Sequence, residues 1–513
     1  MILKIVMLVL FFGVMIGVGI YCRKNATDVN GFVLGGRSVG PWLTAFAYGT
    51  SYFSAVIFIG YAGQFGWKYG IASTWIGIGN ALVGSFLAWA ILGRRTRIMT
   101  QHLNSATMPE FFGKRFDSKG LKIGASIIVF IFLIPYTASL YNGLSRLFEM
   151  AFGIPYVWCI IAMSVLTGIY VIAGGYMATA INDFIQGIIM LIGIVAVIAA
   201  VLNSNGGFME ALKGLSQVTD ETVSDMPGAF NSFFGPDPLN LLGVVILTSL
   251  GTWGLPQMVQ KFYAIKHEKD IRKGTVISTG FAIIVAGGCY FLGGFGRLYD
   301  VDVAKNGFDA IIPTMLQTSL SDLLIAVVVI LVLSASMSTL SSLVIASSST
   351  LTIDLLKGNI IKKMSDKKQV VLIRVFVVVF IAISALIAIY QTQSQNESVK
   401  FIAQLMGVSW GALAGAFLAP FLYGLYWKKT TKLACWVSFI FGAGVMTLNL
   451  FFRSFFPQIL QSPINCGAFV MLAGLIIVPV VSLISPKPKK EMVDEAFACY
   501  EKRVPAAQKR SLD

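Results

Sequence analysis

The stretch Leu333-Ser334-Ala335-Ser336-Met337-Ser338-Thr339-Leu340-Ser341-Ser342 lies inside a long apolar segment that begins near Leu323. Ser334, Ser338, Ser341 and Ser342 follow one another at helical spacing, so their hydroxyls share one face of a helix. Hydroxyl, carbonyl and carboxylate oxygens are the ligands of hard cations such as sodium. Serines also let membrane helices pack closely and bond across to each other. The spacing alone therefore leaves an ion site and a packing face as alternatives.

The composition is that of a membrane protein. Of the 513 residues, 56% are hydrophobic and 12% are charged, against about 25% charged residues in soluble proteins. Apolar runs of about 20 residues alternate with short polar loops, which predicts a polytopic membrane protein. The net charge of +15 does not indicate nucleic-acid binding, because the basic residues lie in those short loops. Six scattered cysteines and two histidines in basic loops predict neither a disulfide framework nor a metal cluster.

Hydropathy predicts an all-α fold with about 13 transmembrane helices. The distribution of lysine and arginine places the N-terminus outside and the C-terminus in the cytoplasm, with Lys261 counted among the inner-loop residues. The predicted helices are 3–22, 41–66, 71–93, 122–150, 155–174, 180–202, 239–260, 274–298, 320–355, 370–391, 400–426, 433–453 and 464–485. The chain divides into a first helix and inner loop (1–40), a five-helix repeat (41–203), an outer loop (204–238), a second five-helix repeat (239–427), two further helices (428–485) and a cytoplasmic tail (486–513).

Two predicted helices carry a helix-breaking pattern at matching positions. The second contains Ala47-Tyr48-Gly49-Thr50-Ser51-Tyr52-Phe53-Ser54, and the seventh contains Ser249-Leu250-Gly251-Thr252-Trp253-Gly254-Leu255-Pro256. Glycine lowers the cost of leaving helical geometry, and proline removes a backbone donor. Each of these helices is the first in a block of five predicted helices. Because five is an odd number, the second block enters the membrane from the opposite side. The pattern predicts an inverted repeat with a central site at the two breaks, although simple kinks filled by packing have the same signature.

Asp183 is an acid within the membrane-spanning part of the chain. It opens the sixth predicted helix after Gly174-Gly175, with Gln186 one turn further on. An intramembrane acid is by default a functional candidate. Aspartate near a helix start is also favoured by capping and by the helix dipole. Both interpretations stay open at this point.

The chain resembles the sodium:solute symporter family, which includes bacterial proline, pantothenate, sialic acid and sugar symporters. The resemblance runs over nearly the whole chain and implies a leucine-transporter-like 5+5 inverted repeat with extra helices at both ends. It also implies a transporter and not an enzyme. The matching pieces are Gly35-Gly36-Arg37-Ser38, the 47–54 break, Gly174-Gly175 with Asn182-Asp183-Phe184-Ile185-Gln186, Met337-Ser338-Thr339-Leu340-Ser341, and Tyr426-Trp427-Lys428.

The resemblance assigns candidate ion ligands. The main sodium site falls on the carbonyls of Thr50, Phe53 and Ala335 and the hydroxyls of Ser338 and Thr339. Carbonyls and hydroxyls without a carboxylate suit a weakly held monovalent ion that must also be released. Some members carry a second sodium ion, whose ligands match Asp183, Ser338, Ser341 and Ser342. The implied coupling ion is thus sodium, as one ion or two.

The substrate is less well determined than the ion. Proline symporters have an aspartate where this chain has Tyr52 and a tryptophan at the position of Thr248. Sialic acid symporters have a substrate-binding arginine at the position of Tyr136. The tyrosine of this chain is similar to the residue of proline symporters at that position. The 47–60 and 180–195 stretches are most similar to the pantothenate branch. The expected substrate-binding residues are Ser51, Tyr52, Ser54, Gln64, Tyr136, Thr252, Trp253 and Gln404, placed at the midplane with no arginine or lysine at that depth.

The function predicted from these features is sodium-driven uptake of a small organic solute by alternating access. The expected solute is an amino acid or carboxylate such as proline or pantothenate. The alternatives are a proton-coupled transporter of the same fold, in which Asp183 would serve, and a sialic acid or sugar symporter. We expect a monomer in the plasma membrane whose partners are the solute, sodium and the lipid bilayer, without nucleic acid.

Overall fold

The computed structural model describes residues 2–221, 223–357, 360–361, 363–393 and 402–501. Within these ranges the chain is helical and has no strand, only isolated backbone bridges. The α-helices are α1 (Ile2–Cys22), α2 (Val29–Leu34), α3 (Pro41–Tyr52), α4 (Ala62–Tyr69), α5 (Thr74–Gly79), α6 (Arg94–His102), α7 (Met108–Arg115), α8 (Lys119–Phe152), α9 (Tyr156–Ser204), α10 (Phe208–Ser216), α11 (Pro238–Leu250), α12 (Pro256–Ala264), α13 (Asp270–Ala282), α14 (Gly288–Gly293), α15 (Val303–Asn306), α16 (Ile311–Ser319), α17 (Asp322–Ser349), α18 (Asp366–Gln393), α19 (Ile402–Tyr426), α20 (Lys432–Phe451), α21 (Pro463–Ile484) and α22 (Lys490–Phe497).

Wider π-helical turns connect several of these helices into longer spans. Single π-turns inside helices are often found at functional sites. The π-helical segments are Val56–Tyr61, Asn80–Leu87, Trp89–Gly93, Ile283–Gly287 and Thr350–Leu356. The first of them lies between α3 and α4, and the last extends α17.

Ten helical segments in the described ranges are long and apolar enough to cross a membrane, and a bent pair, Pro238–Trp253 with Pro256–Ala264, makes an eleventh. Two of the ten are far longer than one crossing requires. The α9 segment has 49 residues, which at 1.5 Å per residue is more than twice the hydrocarbon thickness of about 30 Å. It is broken at Gly175, whose φ of 56° and ψ of −149° favour glycine. The 47-residue segment 56–102 is likewise broken at Gly70, whose φ is 58°.

Helix α17 lies in the interior of the bundle. Of its most apolar 18-residue window 83% is buried, against 22% for α1 at the periphery. Every residue from Val328 to Ser349 is buried. The hydroxyl of Tyr170, on α9, donates to the carbonyl of Met337 at 3.0 Å. The serine-rich stretch is therefore surrounded by protein and not by lipid.

The end of the bundle where α3 begins is closed by polar contacts, and we call it the basic end. The backbone of Val39 pairs with the segment after α12: its N–H donates to the Ala264 carbonyl at 3.2 Å, and its carbonyl accepts from the Lys266 N–H at 3.0 Å. The Arg37 guanidinium donates to the carbonyls of Tyr263, Thr100 and Ser105. Burial, followed by the nearby Arg97, lowers the pKa of Arg37 to about 10, so this side chain remains charged at neutral pH.

The segment after α21 packs against the basic end. Residues 490–500 form α22 and a further turn, in which Val493, Ala496 and Phe497 are buried. Arg95 stacks between the rings of Tyr426 and Tyr500, at 4.2 and 4.6 Å. Apolar and cation–π contacts thus hold residues 490–500 to the basic end. The remainder of the predicted tail, 502–513, lies outside the described residues.

Candidate functional site

The first predicted break lies between α3 and the helical segment that follows it. Helix α3 ends at Tyr52, and Phe53 has the extended angles φ −103° and ψ 99°. The Ser54 hydroxyl then accepts from the N–H of Val56 at 3.2 Å, as an N-cap does. The break follows the Gly-Thr pair by a few residues and directly precedes the next helical turn. It leaves the last carbonyls of α3 without the partners of a continuous helix.

The carbonyls released at this break face α17. The Thr50 carbonyl accepts from the hydroxyls of Ser338 at 2.9 Å and Thr339 at 3.2 Å. The Thr339 hydroxyl also lies 3.3 Å from the Ser51 carbonyl and 3.1 Å from the Ala335 carbonyl. Three carbonyls and two hydroxyls of fully buried residues therefore converge without a carboxylate. Oxygen donors of this kind can hold a monovalent cation. The structure brings Thr50, Ala335, Ser338 and Thr339 together, with Phe53 at the break itself.

The residues of the expected second ion site are joined by a lysine. The Nζ of Lys261, on α12, lies 2.8 Å from the hydroxyl of Ser342 and 3.7 Å from the carboxylate of Asp183. Both ionic side chains are at most 2% exposed. Lys261 is therefore not an inner-loop residue, and the expectation that no lysine lies at this depth is wrong. The seventh span continues to Ala264 and carries the lysine into the bundle, where Asp183 provides the counter-charge.

The expected solute-binding aromatics form a compact group beside the first break. The Tyr52 ring stacks on Phe53 at 4.3 Å and on Trp410 at 5.9 Å. The Tyr136 ring meets Trp410 edge-on at 6.0 Å. Within the described part of the chain, the Tyr136 hydroxyl and the Trp410 Nε1 are buried without a hydrogen-bond partner. Unsatisfied donors in an apolar box are expected where a polar ligand binds.

The second predicted break differs from the first in its contacts. Helices α11 and α12 meet at 41° around Gly251–Trp253 and the following Gly254-Leu255. The Thr252 hydroxyl donates to the carbonyls of Gly84 and Ser249, each at 3.0 Å. The Trp253 Nε1 donates to the Val83 carbonyl at 3.0 Å. These side chains join the break to the segment Asn80–Leu87.

Gln64 and Gln404 do not join the aromatic group. They line a cavity of about 980 Å³ at the end of the bundle opposite the basic end, together with Lys68 and Arg453. The Gln404 side-chain oxygen accepts from both terminal nitrogens of Arg453 at 3.4 Å. The structure therefore does not bring the two glutamines to the predicted solute-binding group.

Two residues of the site were not among the predicted ones. Trp410 is an aromatic residue in an apolar span. The sequence around such a residue does not distinguish a packing role from a ligand-binding role. The sequence does contain a signal that Lys261 is helical. It follows Pro256 by five residues and still falls within the length of a normal helix. Counting basic residues as loop markers concealed that signal.

Comparison with known proteins agrees with this architecture. The family profile described as "Sodium:solute symporter family" matches residues 32–442. The osmoregulated proline transporter OpuE of Bacillus subtilis is 29% identical over 491 residues, covering 95% of this chain and 96% of that protein. The sodium/proline symporter 2 of Staphylococcus saprophyticus is 30% identical over 455 residues, covering 86% and 85%.

Solved structures are similar in fold. A substrate-bound, outward-open Na⁺-coupled sialic acid symporter aligns with a TM-score of 0.72 at 16% identity, over 95% of this chain and 99% of that one. The nucleobase-cation-symport-1 family transporter Mhp1, in a closed conformation, aligns with a TM-score of 0.52 at 13% identity, over 90% and 97%. This chain belongs to the sodium:solute symporter family, and it is a multi-pass membrane transporter and not an enzyme.

Proposed function

We propose that this protein couples the inward flow of sodium to the uptake of a small amino acid, with proline as the first candidate. The single observation that carries the proposal is the convergence of the Thr50, Ser51 and Ala335 carbonyls on the hydroxyls of Ser338 and Thr339. A buried cluster of this kind matches the ligand preference of sodium. The Phe53 carbonyl, at the end of α3, completes the proposed main site.

The proposed mechanism is alternating access. Sodium at the main site bridges the broken α3 to α17 and holds the first break in one geometry. Ser54, at the same break, borders the aromatic group of Tyr52 and Tyr136, so the ion fixes the pocket that the solute enters. Coupling requires that sodium favour the state with the higher solute affinity.

The proposed topology has thirteen crossings in a 5+5 inverted repeat with extra helices at both ends. Dividing the two longest spans at Gly70 and Gly175, and counting the bent pair as one crossing, yields this number. The basic end would face the cytoplasm, since it carries Arg94, Arg95, Arg97 and Lys266. The N-terminus then lies outside and the C-terminus inside, in the plasma membrane, with a monomer as the working unit.

The choice of proline rests on charge and on relatives. The aromatic group of Tyr52, Tyr136 and Trp410 brings no charged side chain of its own to the solute. A zwitterion costs less to bury there than a net anion such as pantothenate, because its two charges compensate each other. Relatives similar over most of the chain are named proline transporters.

The deciding experiment is uptake of labelled proline into proteoliposomes that contain the purified protein. We expect accumulation with an inward sodium gradient and none with a potassium gradient. Accumulation to the same level with a proton gradient alone would refute sodium coupling and favour the proton-coupled alternative.

The substrate is tested in the same vesicles by competition. An excess of unlabelled proline should abolish the sodium-driven signal, while pantothenate, sialic acid and glucose should leave it intact. Inhibition by pantothenate without inhibition by proline would refute the substrate assignment and leave sodium coupling in place.

A further inference from the structure

Lys261 occupies a defined position among the proposed ion ligands of α17. Its ammonium lies 2.8 Å from the Ser342 hydroxyl and 3.7 Å from the Asp183 carboxylate. It also lies 5.2 Å above the ring of Tyr176, within cation–π distance. Serine hydroxyl, acid and aromatic face thus surround one resident cation, and three of the four proposed second-site residues are on the same turn of α17.

We propose that the Lys261 ammonium takes the place of a second sodium ion, so that the protein binds one sodium ion per molecule. Lys261 would then be the residue that sets the sodium stoichiometry. This inference rests on the proposed main sodium site at Thr50, Ser338 and Thr339. It replaces the expected second ion with a cation that is part of the chain.

The hydrogen bonds of Ser342 support this assignment. Its hydroxyl donates to the Ser338 carbonyl at 3.1 Å. Its oxygen lies 2.8 Å from the Lys261 ammonium and 2.8 Å from the Ser51 hydroxyl. A serine oxygen accepts two hydrogen bonds. Lys261 fills one acceptor position, and Ser51 fills the other when its hydroxyl is the donor. In that arrangement the Ser342 oxygen has no lone pair left for an ion.

The charge balance leads to the same result. Asp183 and Lys261 neutralise each other inside the bundle, where an unpaired charge is strongly unfavourable. A sodium ion added beside this pair would be an uncompensated positive charge. It would also lie near the sodium ion at the main site, which is about one helical turn, or about 6 Å, away along α17. Without the lysine, the Asp183 carboxylate would need another cation or a proton.

Ser51 connects the two positions. Its carbonyl lies 3.3 Å from the Thr339 hydroxyl of the main site, and its hydroxyl is 2.8 Å from that of Ser342. A change in the cation beside Asp183 therefore reaches the main site through one residue. We expect substitution of Lys261 to alter sodium binding at both positions.

The test counts bound sodium directly and needs no solute. Equilibrium binding of ²²Na⁺ to the purified full-length protein should saturate at one ion per molecule in the wild type. Lys261→Met should raise the count to two, with a sigmoidal binding curve. Lys261→Arg, which keeps the charge, and Lys269→Met, which removes an exposed lysine outside the site, should both stay at one.

The outcomes separate this inference from the proposed function. No saturable sodium in the wild type overturns the proposed function itself. Two ions in the wild type overturn only the role of Lys261, since the Asp183 oxygens would then hold an ion beside the lysine. One ion in both the wild type and Lys261→Met also overturns it. If Lys261→Met does not fold, Lys261→Gln, which keeps a donor to Ser342, is subject to the same criterion.

Discussion

The two broken helices share a Gly-Thr pair in the sequence, yet they are used differently in the structure. At the first break the backbone carbonyl of Thr50 accepts from the hydroxyls of Ser338 and Thr339 on α17. At the second break the side chains of Thr252 and Trp253 donate to the backbone of residues 83 and 84. The first break therefore presents oxygens, and the second presents donors that are already satisfied.

The partner helix accounts for this difference. Helix α17 presents hydroxyls. Each can rotate away from the carbonyl to which it donates, and that carbonyl is then available to an ion. The segment Asn80–Leu87 offers main-chain carbonyls, which cannot do so. The first break therefore faces groups that can reorient, and the second faces groups that are fixed in the main chain. The substitutions below test this distinction.

The largest effect is expected at the first break. Thr339→Val keeps the shape of the side chain and removes the hydroxyl that faces three carbonyls. Losing one ligand of a charged group costs about 1.5–3 kcal/mol, so the sodium concentration for half-maximal uptake should rise about 10- to 100-fold. Sodium titration of proline uptake measures it, and Ser338→Ala should behave likewise.

Ser336→Ala is the matched control for this experiment. Ser336 is on the same helix and equally buried, but its hydroxyl donates to the Val332 carbonyl of its own helix at 2.8 Å. Its sodium requirement should equal that of the wild type. An equal shift in both variants would mean that α17 responds to any lost hydroxyl and that the first break is not an ion site.

A smaller effect is expected in the aromatic group beside the first break. Tyr136→Phe removes a buried hydroxyl that has no partner in the described part of the chain. If this hydroxyl binds the solute, the KM for proline should rise about tenfold, the value of one hydrogen bond of about 1–1.5 kcal/mol. Thermal stability should be unchanged or higher, because an unsatisfied polar group is removed. A drop in stability with an unaltered KM would contradict the assignment.

The smallest effect on transport is expected at the second break. Thr252→Val removes the one hydroxyl hydrogen that two main-chain carbonyls share. Stability should fall by about 1–2 kcal/mol, while the sodium requirement should change by less than about twofold. Denaturation of the purified protein and sodium titration measure the two quantities. A sodium shift as large as that of Thr339→Val would make the two breaks equivalent and refute the comparison.

Part of this architecture follows from sequence for clear physical reasons. A Gly-Thr pair marks both breaks, with Pro256 after the second, because glycine lowers the cost of leaving helical geometry and proline removes a backbone donor. The helical spacing of Ser338 and Ser342 likewise places their hydroxyls on one face of α17. The pairing of Lys261 with Asp183 could not be derived in this way. The two residues are far apart in the chain, and their contact depends on how α9 and α12 pack. A basic residue near the end of an apolar run also has the signature of a loop.

The depth of a polar residue is equally hard to derive. Gln64 and Gln404 lie within predicted membrane helices, but the structure places both in the cavity at the end of the bundle opposite the basic end. Trp410 contributes to the aromatic group only because Gly251 leaves room for it: a Cβ at that glycine would lie 2.7 Å from the indole ring. Such complementarity between distant residues is a property of packing and not of local pattern.

The backbone pairing of Val39 with the segment after α12 has a consequence for observing the transport cycle. Both hydrogen bonds are between main-chain atoms, so side-chain substitution does not remove them, and the two amide hydrogens are protected while the basic end is closed. Opening of that end exposes them to solvent deuterium. The hydrogen-exchange rate of the peptide that contains Val39 therefore reports how often this end opens. We expect sodium to slow this exchange and a bound solute to accelerate it.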